Sequence, residues 1–173
     1  MMEVGNDVVM SGSGTLNLAA LAGPITDPSP GVFVYPTLSS FLLGESAGID
    51  AYSGDIVFPS QFGSGTGAQG DGSGDQFGPV QSLFGFGPEI WVPAGYQSGA
   101  PLNASAVFEG ETLASLGATP GLYVWSWGSG TDADSIKLDV KQSPVPGPLP
   151  WLGAVATLGW SRRLRRQCLQ ARS

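Results

Sequence analysis

The chain predicts an all-β fold: a single antiparallel β-sandwich, jelly-roll or immunoglobulin-like, followed by a short C-terminal apolar helix. Three observations carry this. Apolar and polar residues alternate over short runs, as at 102–108 and 135–141, the period of a half-buried strand. The 27 glycines and 14 prolines, against only 12% charged residues, supply frequent turns at the roughly 8–12-residue spacing of small β folds. No long run with a 3.6-residue apolar period precedes the last thirty or so positions.

Taken in order, Val4 to Met10 and Thr15 to Leu21 read as two strands around the turn Ser11-Gly12-Ser13-Gly14. Val32 to Val34 and Leu38 to Leu43 are strand-like, with Pro36 between them marking an edge or a bulge. Ile49 to Tyr52 and Ile56 to Phe58 are short strands around Ser53-Gly54-Asp55. Residues 63–78 hold seven glycines in 16 positions and read as a long flexible loop. Strands resume at Pro79 to Phe86 and at Ile90 to Val92, and 93–101 is a turn region. Leu102, Ala104, Ala106 and Phe108 alternate along the next strand, and Glu111 to Leu116 forms one helical turn.

A final hairpin follows the turn at Pro120-Gly121. Its first strand, Leu122 to Trp127, has two faces, Leu122/Val124/Ser126 and Tyr123/Trp125/Trp127. Its second, Ser135 to Lys141, turns Ile136, Leu138 and Val140 inward and Lys137, Asp139 and Lys141 outward. The recurrence of Gly-Ser-Gly at 12, 63, 72 and 128 is irregular, so it is turn chemistry and not a solenoid repeat.

Charge is divided along the chain. Residues 1–136 hold 13 of the 14 acidic residues and no Lys or Arg, a net of −13; the remainder holds all seven basic residues and Asp139, a net of +6, which together give −7. So acidic a domain does not hold a phosphate backbone, which excludes nucleic acid as a partner. There is no histidine, and the single cysteine, Cys168, lies beyond the arginines near the C-terminus. The commonest general base is therefore missing, and the domain has neither disulfide nor thiol chemistry. The acidic pairs Glu109/Glu111 and Asp132/Asp134 stand two apart on single loops, which does not set two carboxyls across a cleft as glycoside hydrolysis needs. The expectation is that the chain is not an enzyme and needs no cofactor.

Two binding sites are written into the pattern. Asp71 and Asp75, with Asp132 and Asp134, place carboxylates on glycine-rich turns, the oxygen-rich setting that suits calcium; solvated turn aspartates are the alternative. Tyr123, Trp125 and Trp127 line one strand face, with Trp91 and Tyr96 as further candidates. Exposed, that stripe would stack on the rings of a glycan; buried, it is sandwich core.

The C-terminal stretch 144–166, PVPGPLPWLGAVATLGWSRRLRR, has three blocks in fixed order. Prolines lack an N–H and set an extended spacer. The uncharged run from Trp151 to Trp160 follows, and then Arg162, Arg163, Arg165 and Arg166, which hold that end on the cytoplasmic side of a membrane. As a helix, Leu149 to Trp160 measures about 18 Å against a hydrocarbon core of about 30 Å. That suits a transient attachment better than a permanent anchor.

This tail resembles the PEP-CTERM sorting signal of exported bacterial proteins: a Pro-x-Pro motif, an apolar helix and a terminal Arg cluster. Here the motif is Pro146-Gly147-Pro148 in the variant form V-P-G-P-L-P, and a short extension, 167–173, follows the arginines. The resemblance implies that Pro146 and Pro148 are recognised by an exosortase, an integral-membrane transpeptidase-like enzyme, and that Arg162 to Arg166 form the stop and orientation signal.

The domains expected are an acidic β-sandwich over 1–143, the sorting tail over 144–166 and the extension. The function expected is that of an exported structural or adhesive protein of the cell surface or extracellular matrix. It would be attached to the membrane transiently through its tail, with extracellular polysaccharide as a partner. The alternative is a glycan- or calcium-binding module on the same scaffold. Residues 1–7 carry no basic or apolar leader, so the export reading expects a basic-then-apolar segment encoded upstream of Met1.

Overall fold

Period-2 alternation places one face of each strand in a core, and the short strands and abundant turns leave the chain little else to form. The computed structural model describes residues 1–28, 30–81 and 87–142. Thirteen strands follow one another among them: β1 (Met2–Val4), β2 (Asp7–Thr15), β3 (Ala22–Pro28), β4 (Val32–Tyr35), β5 (Ser40–Leu42), β6 (Gly48–Ser53), β7 (Ile56–Val57), β8 (Ala68–Gly74), β9 (Gly78–Gln81), β10 (Pro88–Pro93), β11 (Pro101–Phe108), β12 (Gly121–Trp127) and β13 (Asp134–Val140). The only helical pieces among the described residues are two 3-10 turns, Pro36–Leu38 and Gly130–Asp132. The C-terminal apolar helix, the sorting tail and the extension all lie outside the described residues.

The described residues are thus all-β, in three antiparallel sheets. Six strands run in the order β1-β2-β11-β8-β4-β5, four in the order β3-β6-β10-β9, and three in the order β13-β12-β7. One core joins all three sheets: Val8 and Met10 of β2 and Phe108 of β11, Ile90 and Val92 of β10, and Trp125, Ile136 and Leu138 of the third sheet. On the reverse face of β4 and β5, Phe33 and Leu42 pack with Ile49, Ala51, Val80 and Trp91 in a second cluster. β4 and β10 are therefore buried on both faces, and each fully buried apolar side chain contributes about 1.5–3 kcal/mol.

The strands with clean alternation stand as expected. Leu102, Ala104, Ala106 and Phe108 are buried along β11, as are Ile136, Leu138 and Val140 along β13, whose Lys137 and Asp139 are exposed. Pro36 ends β4 and opens a 3-10 turn, and β5 stands at an end of its sheet. The segment 111–116 makes a single turn, closed by Leu116 N–H donating to the Thr112 carbonyl.

Three expectations are corrected. The proposed turn Ser11–Gly14 is the middle of one nine-residue strand, β2, paired with β11 from Val8 to Thr15. Gly12 is a packing residue: a Cβ there would meet the Phe77 ring at 2.9 Å. The segment expected to continue as a second strand, 16–21, is irregular. Its N–H groups are taken instead by side chains, Leu16 N–H by the Tyr96 hydroxyl and Leu18 N–H by Ser98 Oγ.

The glycine-rich stretch expected to be a flexible loop contains β8, which lies between β11 and β4 inside the six-stranded sheet. Its glycines answer to crowding. A Cβ on Gly70 would press on the Phe108 ring at 2.9 Å, and one on Gly72 would fall on the Gly44 carbonyl. β6 and β7 flank the turn at Gly54-Asp55 as expected, and they belong to different sheets.

Candidate functional site

The aromatic face of β12 lies inside the protein. Trp125 is 0% exposed and Trp127 2%, whereas Leu122 on the opposite face is 65% exposed and Val124 39%. Trp125 is the hub of an aromatic cluster, edge-on to Phe41 at 5.3 Å, Phe58 at 6.5 Å and Phe62 at 6.1 Å between centroids. Its indole N–H donates to the Ser39 carbonyl at 2.8 Å, and that of Trp127 donates to the Asn17 carbonyl at 2.8 Å. Tyr123 is half-buried against Phe62, and its hydroxyl donates to the Thr119 carbonyl at 3.0 Å.

Trp91 is buried, with its indole N–H on Glu89 Oε2 at 2.8 Å, and the Tyr96 hydroxyl donates to the Ala100 carbonyl at 2.7 Å. Trp125 and Trp127 therefore present no open face on which a glycan could stack, while Tyr123 keeps part of its surface exposed. The tryptophan faces touch other side chains, and their polar atoms are spent on backbone carbonyls, as buried indoles require. The reason is positional: β12 turns its aromatic side toward Phe41 of β5 and the loop residues Phe58 and Phe62, so the aliphatic side is left to solvent.

The four candidate calcium carboxylates lie on two stretches of chain, at β8 and its end and at the second 3-10 turn and the start of β13. Asp71 is exposed on β8. Asp75 is also exposed, and its Oδ2 accepts from Asn103 N–H at 2.8 Å. Asp132 is exposed on the second 3-10 turn. Asp134 accepts from Asn17 N–H through Oδ2 at 2.6 Å and from Ser135 N–H through Oδ1 at 2.7 Å. Among the described residues no three or more His, Cys, Asp or Glu side chains gather where they would hold a metal ion.

The same use of carboxylates recurs elsewhere. Asp7 accepts from Gly110 N–H at 2.9 Å, and Glu3 from Leu113 N–H at 2.8 Å. Buried Asp50 takes Thr26 Oγ1 at 2.6 Å and Gly95 N–H at 2.8 Å. With only Lys137 and Lys141 among the described basic side chains, backbone N–H groups stand where cations would in a domain of mixed charge. The one ion pair found there, Lys141 with Asp139 at 3.7 Å, is exposed on both sides and contributes little.

The sequence reading missed buried Asp50 and Glu89, because each sits in an otherwise ordinary strand; only the apolar neighbours Ile49, Ala51, Ile90 and Trp91 signalled burial there. It also missed a cavity of about 340 Å³ between β2 and β13, floored by Phe41, Leu43, Phe77 and Leu102. That volume is in the range of small-ligand pockets.

Pro146, Pro148, Arg162, Arg163, Arg165 and Arg166 lie outside the described residues. No helix among the described residues is long and apolar enough to cross a membrane. No family model matches the chain, and no curated protein or solved structure matches it.

Proposed function

We propose that this chain is an exported structural or adhesive component of the bacterial cell surface or extracellular matrix, delivered by its C-terminal tail. The observation that carries the reading is the order of blocks in 144–166: Pro146 and Pro148 in an extended spacer, a charge-free apolar run, then Arg162, Arg163, Arg165 and Arg166. An exosortase-type enzyme recognises and processes that tail while it is held in the membrane, and extracellular polysaccharide is the surrounding material. The part carried is a β-sandwich of jelly-roll or immunoglobulin-like kind; the core shared by residues of all three sheets supports that architecture. A scaffold role is supported by the employment of Glu3, Asp7, Asp50, Asp75 and Asp134 as acceptors for backbone N–H groups of distant segments.

The test is replacement of the four arginines by glutamine in the full chain, followed by mass and location of the mature protein. Loss of the orientation charge should abolish retention and processing. Unchanged mass and location would overturn the sorting reading.

A further inference from the structure

Residues 1–142 hold 14 acidic side chains and only two basic ones, Lys137 and Lys141. Both lysines belong to the outer face of the third sheet, because Ile136, Leu138 and Val140 alternate with them into the core. The cross-strand register shows what else lies on that face. Lys137 stands opposite Val124, Asp139 stands opposite Leu122, and Ser126 lies between Ser135 and Val57. Residues directly opposite one another point to the same side of a sheet. Val57 is 66% exposed, so with Leu122 and Val124 it makes an open aliphatic strip beside the lysines. Met1 meets β13 edge-on: its nitrogen donates to the Asp139 carbonyl at 2.9 Å, and its carbonyl accepts from Lys141 N–H at 2.9 Å. That contact does not cover the face. Lys141 pairs with Asp139, whereas Lys137 has no ion-pair partner among the described residues.

The six-stranded sheet carries a face of the opposite character. Val9, Val107 and Asp71 form one row across β2, β11 and β8. The adjacent Val8, Ala106 and Phe108 point into the core, so this row points outward. Val9 and Val107 are half-buried and Asp71 is exposed. Beside them runs a row of short hydroxyls, Ser11, Ser105 and Ser73, which lets a partner approach closely. Exposed Glu109 follows the end of β11. Unlike Asp7, Asp75 and Asp134, the Asp71 carboxylate has no hydrogen bond among the described residues. The inner faces of the two sheets share one core, with Met10 and Phe108 from one and Trp125 and Leu138 from the other. Their outer faces therefore look away from each other.

We propose that these two faces bind each other between copies of this chain, head to tail. Val57, Leu122 and Val124 of one copy cover Val9 and Val107 of the next, with Lys137 set beside Asp71. The occupant follows from charge complementarity: the aliphatic face with cations matches an aliphatic face with free carboxylates, and the chain itself supplies that second face. Both copies are acidic as wholes, but exposed charges are screened beyond about 8 Å at physiological salt. The groups that meet in the contact decide it, not the net charge the copies share. Because the two faces differ and point apart, the contact is heterologous and adds copies in an open line unless its rotation closes a ring. Stacking of this kind needs nothing from the C-terminal tail.

The experiment is sedimentation velocity of the full chain, from about 10 µM to about 1 mM, in about 0.15 M sodium chloride. Four variants are compared with it: Leu122→Asp, Lys137→Glu, Asp71→Lys, and the double variant Lys137→Glu/Asp71→Lys. All carry the same tail, so differences among them report on the two faces. The expected result is concentration-dependent growth beyond the dimer in the unaltered chain. Each single variant should weaken it at least tenfold, and the double variant, with the charges exchanged, should return to within about threefold. That recovery also shows that the single variants lose a contact and not their fold. No association at 1 mM overturns the proposal, as does association that all three single variants leave unchanged. Loss in Leu122→Asp and Lys137→Glu but not in Asp71→Lys overturns it in favour of a two-fold contact of the lysine face with itself. Loss in every single variant without recovery in the double one overturns the pairing of these faces.

Discussion

Replacement of Trp125 tests which face of β12 is the core. The side chain is fully buried, has three aromatic neighbours and has its N–H on the buried Ser39 carbonyl. Trp125→Ala removes the packing of a large aromatic, about 3–5 kcal/mol, and it strands the Ser39 carbonyl, which places the expected loss at the top of that range. Trp125→Phe keeps much of the packing but not the donor, so the expected loss is about 1–3 kcal/mol, the cost of an unmet buried polar group. Leu122→Ala, two thirds exposed on the opposite face, should stay within about 0.5 kcal/mol. Equilibrium urea unfolding followed by far-ultraviolet circular dichroism reads all three. With a slope of about 2 kcal/mol/M, a 4 kcal/mol loss moves the midpoint by about 2 M. Near-wild-type stability of Trp125→Ala with a large loss in Leu122→Ala would refute the assignment of faces and return the aromatic stripe to the surface.

Gly72→Ala should destabilise by about 1–3 kcal/mol through overpacking against the Gly44 carbonyl and Val32, whereas Gly87→Ala, with open space around it, should change stability by less than about 0.5 kcal/mol; equal effects in urea unfolding would return 63–78 to the status of a loose loop. Calcium, magnesium and sodium chloride at matched ionic strength should shift thermal unfolding alike, because the carboxylates of Asp75 and Asp134 already serve backbone N–H groups. A calcium-specific gain near 2.7 kcal/mol at 100 times the Kd would refute this and mark Asp71, Asp75, Asp132 or Asp134 as ligands. The Tyr52 phenol is pushed above its ordinary value by burial and then by the charge of Asp50. The folded state therefore holds that proton more tightly than the unfolded chain. The resulting stability is intact below the unfolded tyrosine value near pH 10 and is lost as pH rises through the folded one. Tyr52→Phe should flatten the alkaline limb of a stability-against-pH curve, and an unchanged limb would exclude Tyr52 as its cause.

The parts of the fold legible in the sequence are those where side chains report the environment of their own strand. β11 and β13 alternate apolar with polar because one face of each meets the core and the other does not, so the period is visible without a partner. β8 gives no such report. A glycine has no side chain with which to register burial, and Gly70 and Gly72 are present because neighbouring atoms leave no room for one. The same letters that describe a loose loop describe a strand pressed from above. Gly12 and Gly14 misled in the same way, suggesting a turn inside β2. The stripe on β12 was visible but not its direction, since Leu122 and Val124 are as apolar as a core face. The choice was made by what lies opposite, where Phe41 of β5 and the loop residue Phe62 flank the Trp125 indole. The cavity was illegible because its walls are two strands more than a hundred residues apart.

The tie between Met1 and β13 has a mechanical consequence. Asp139 and Lys141 grip Met1 through two backbone bonds, so the two ends of the described region meet at one point. Tension applied between Met1 and Gln142 does not run through the three sheets. It falls first on those two bonds, and only when they part does β13 begin to separate from the seven residue pairs that join it to β12. The interior, with Trp125 at its hub, is shielded from stretch until that edge has yielded. An object pulled by its ends would thus give way at the seam while its body kept its shape.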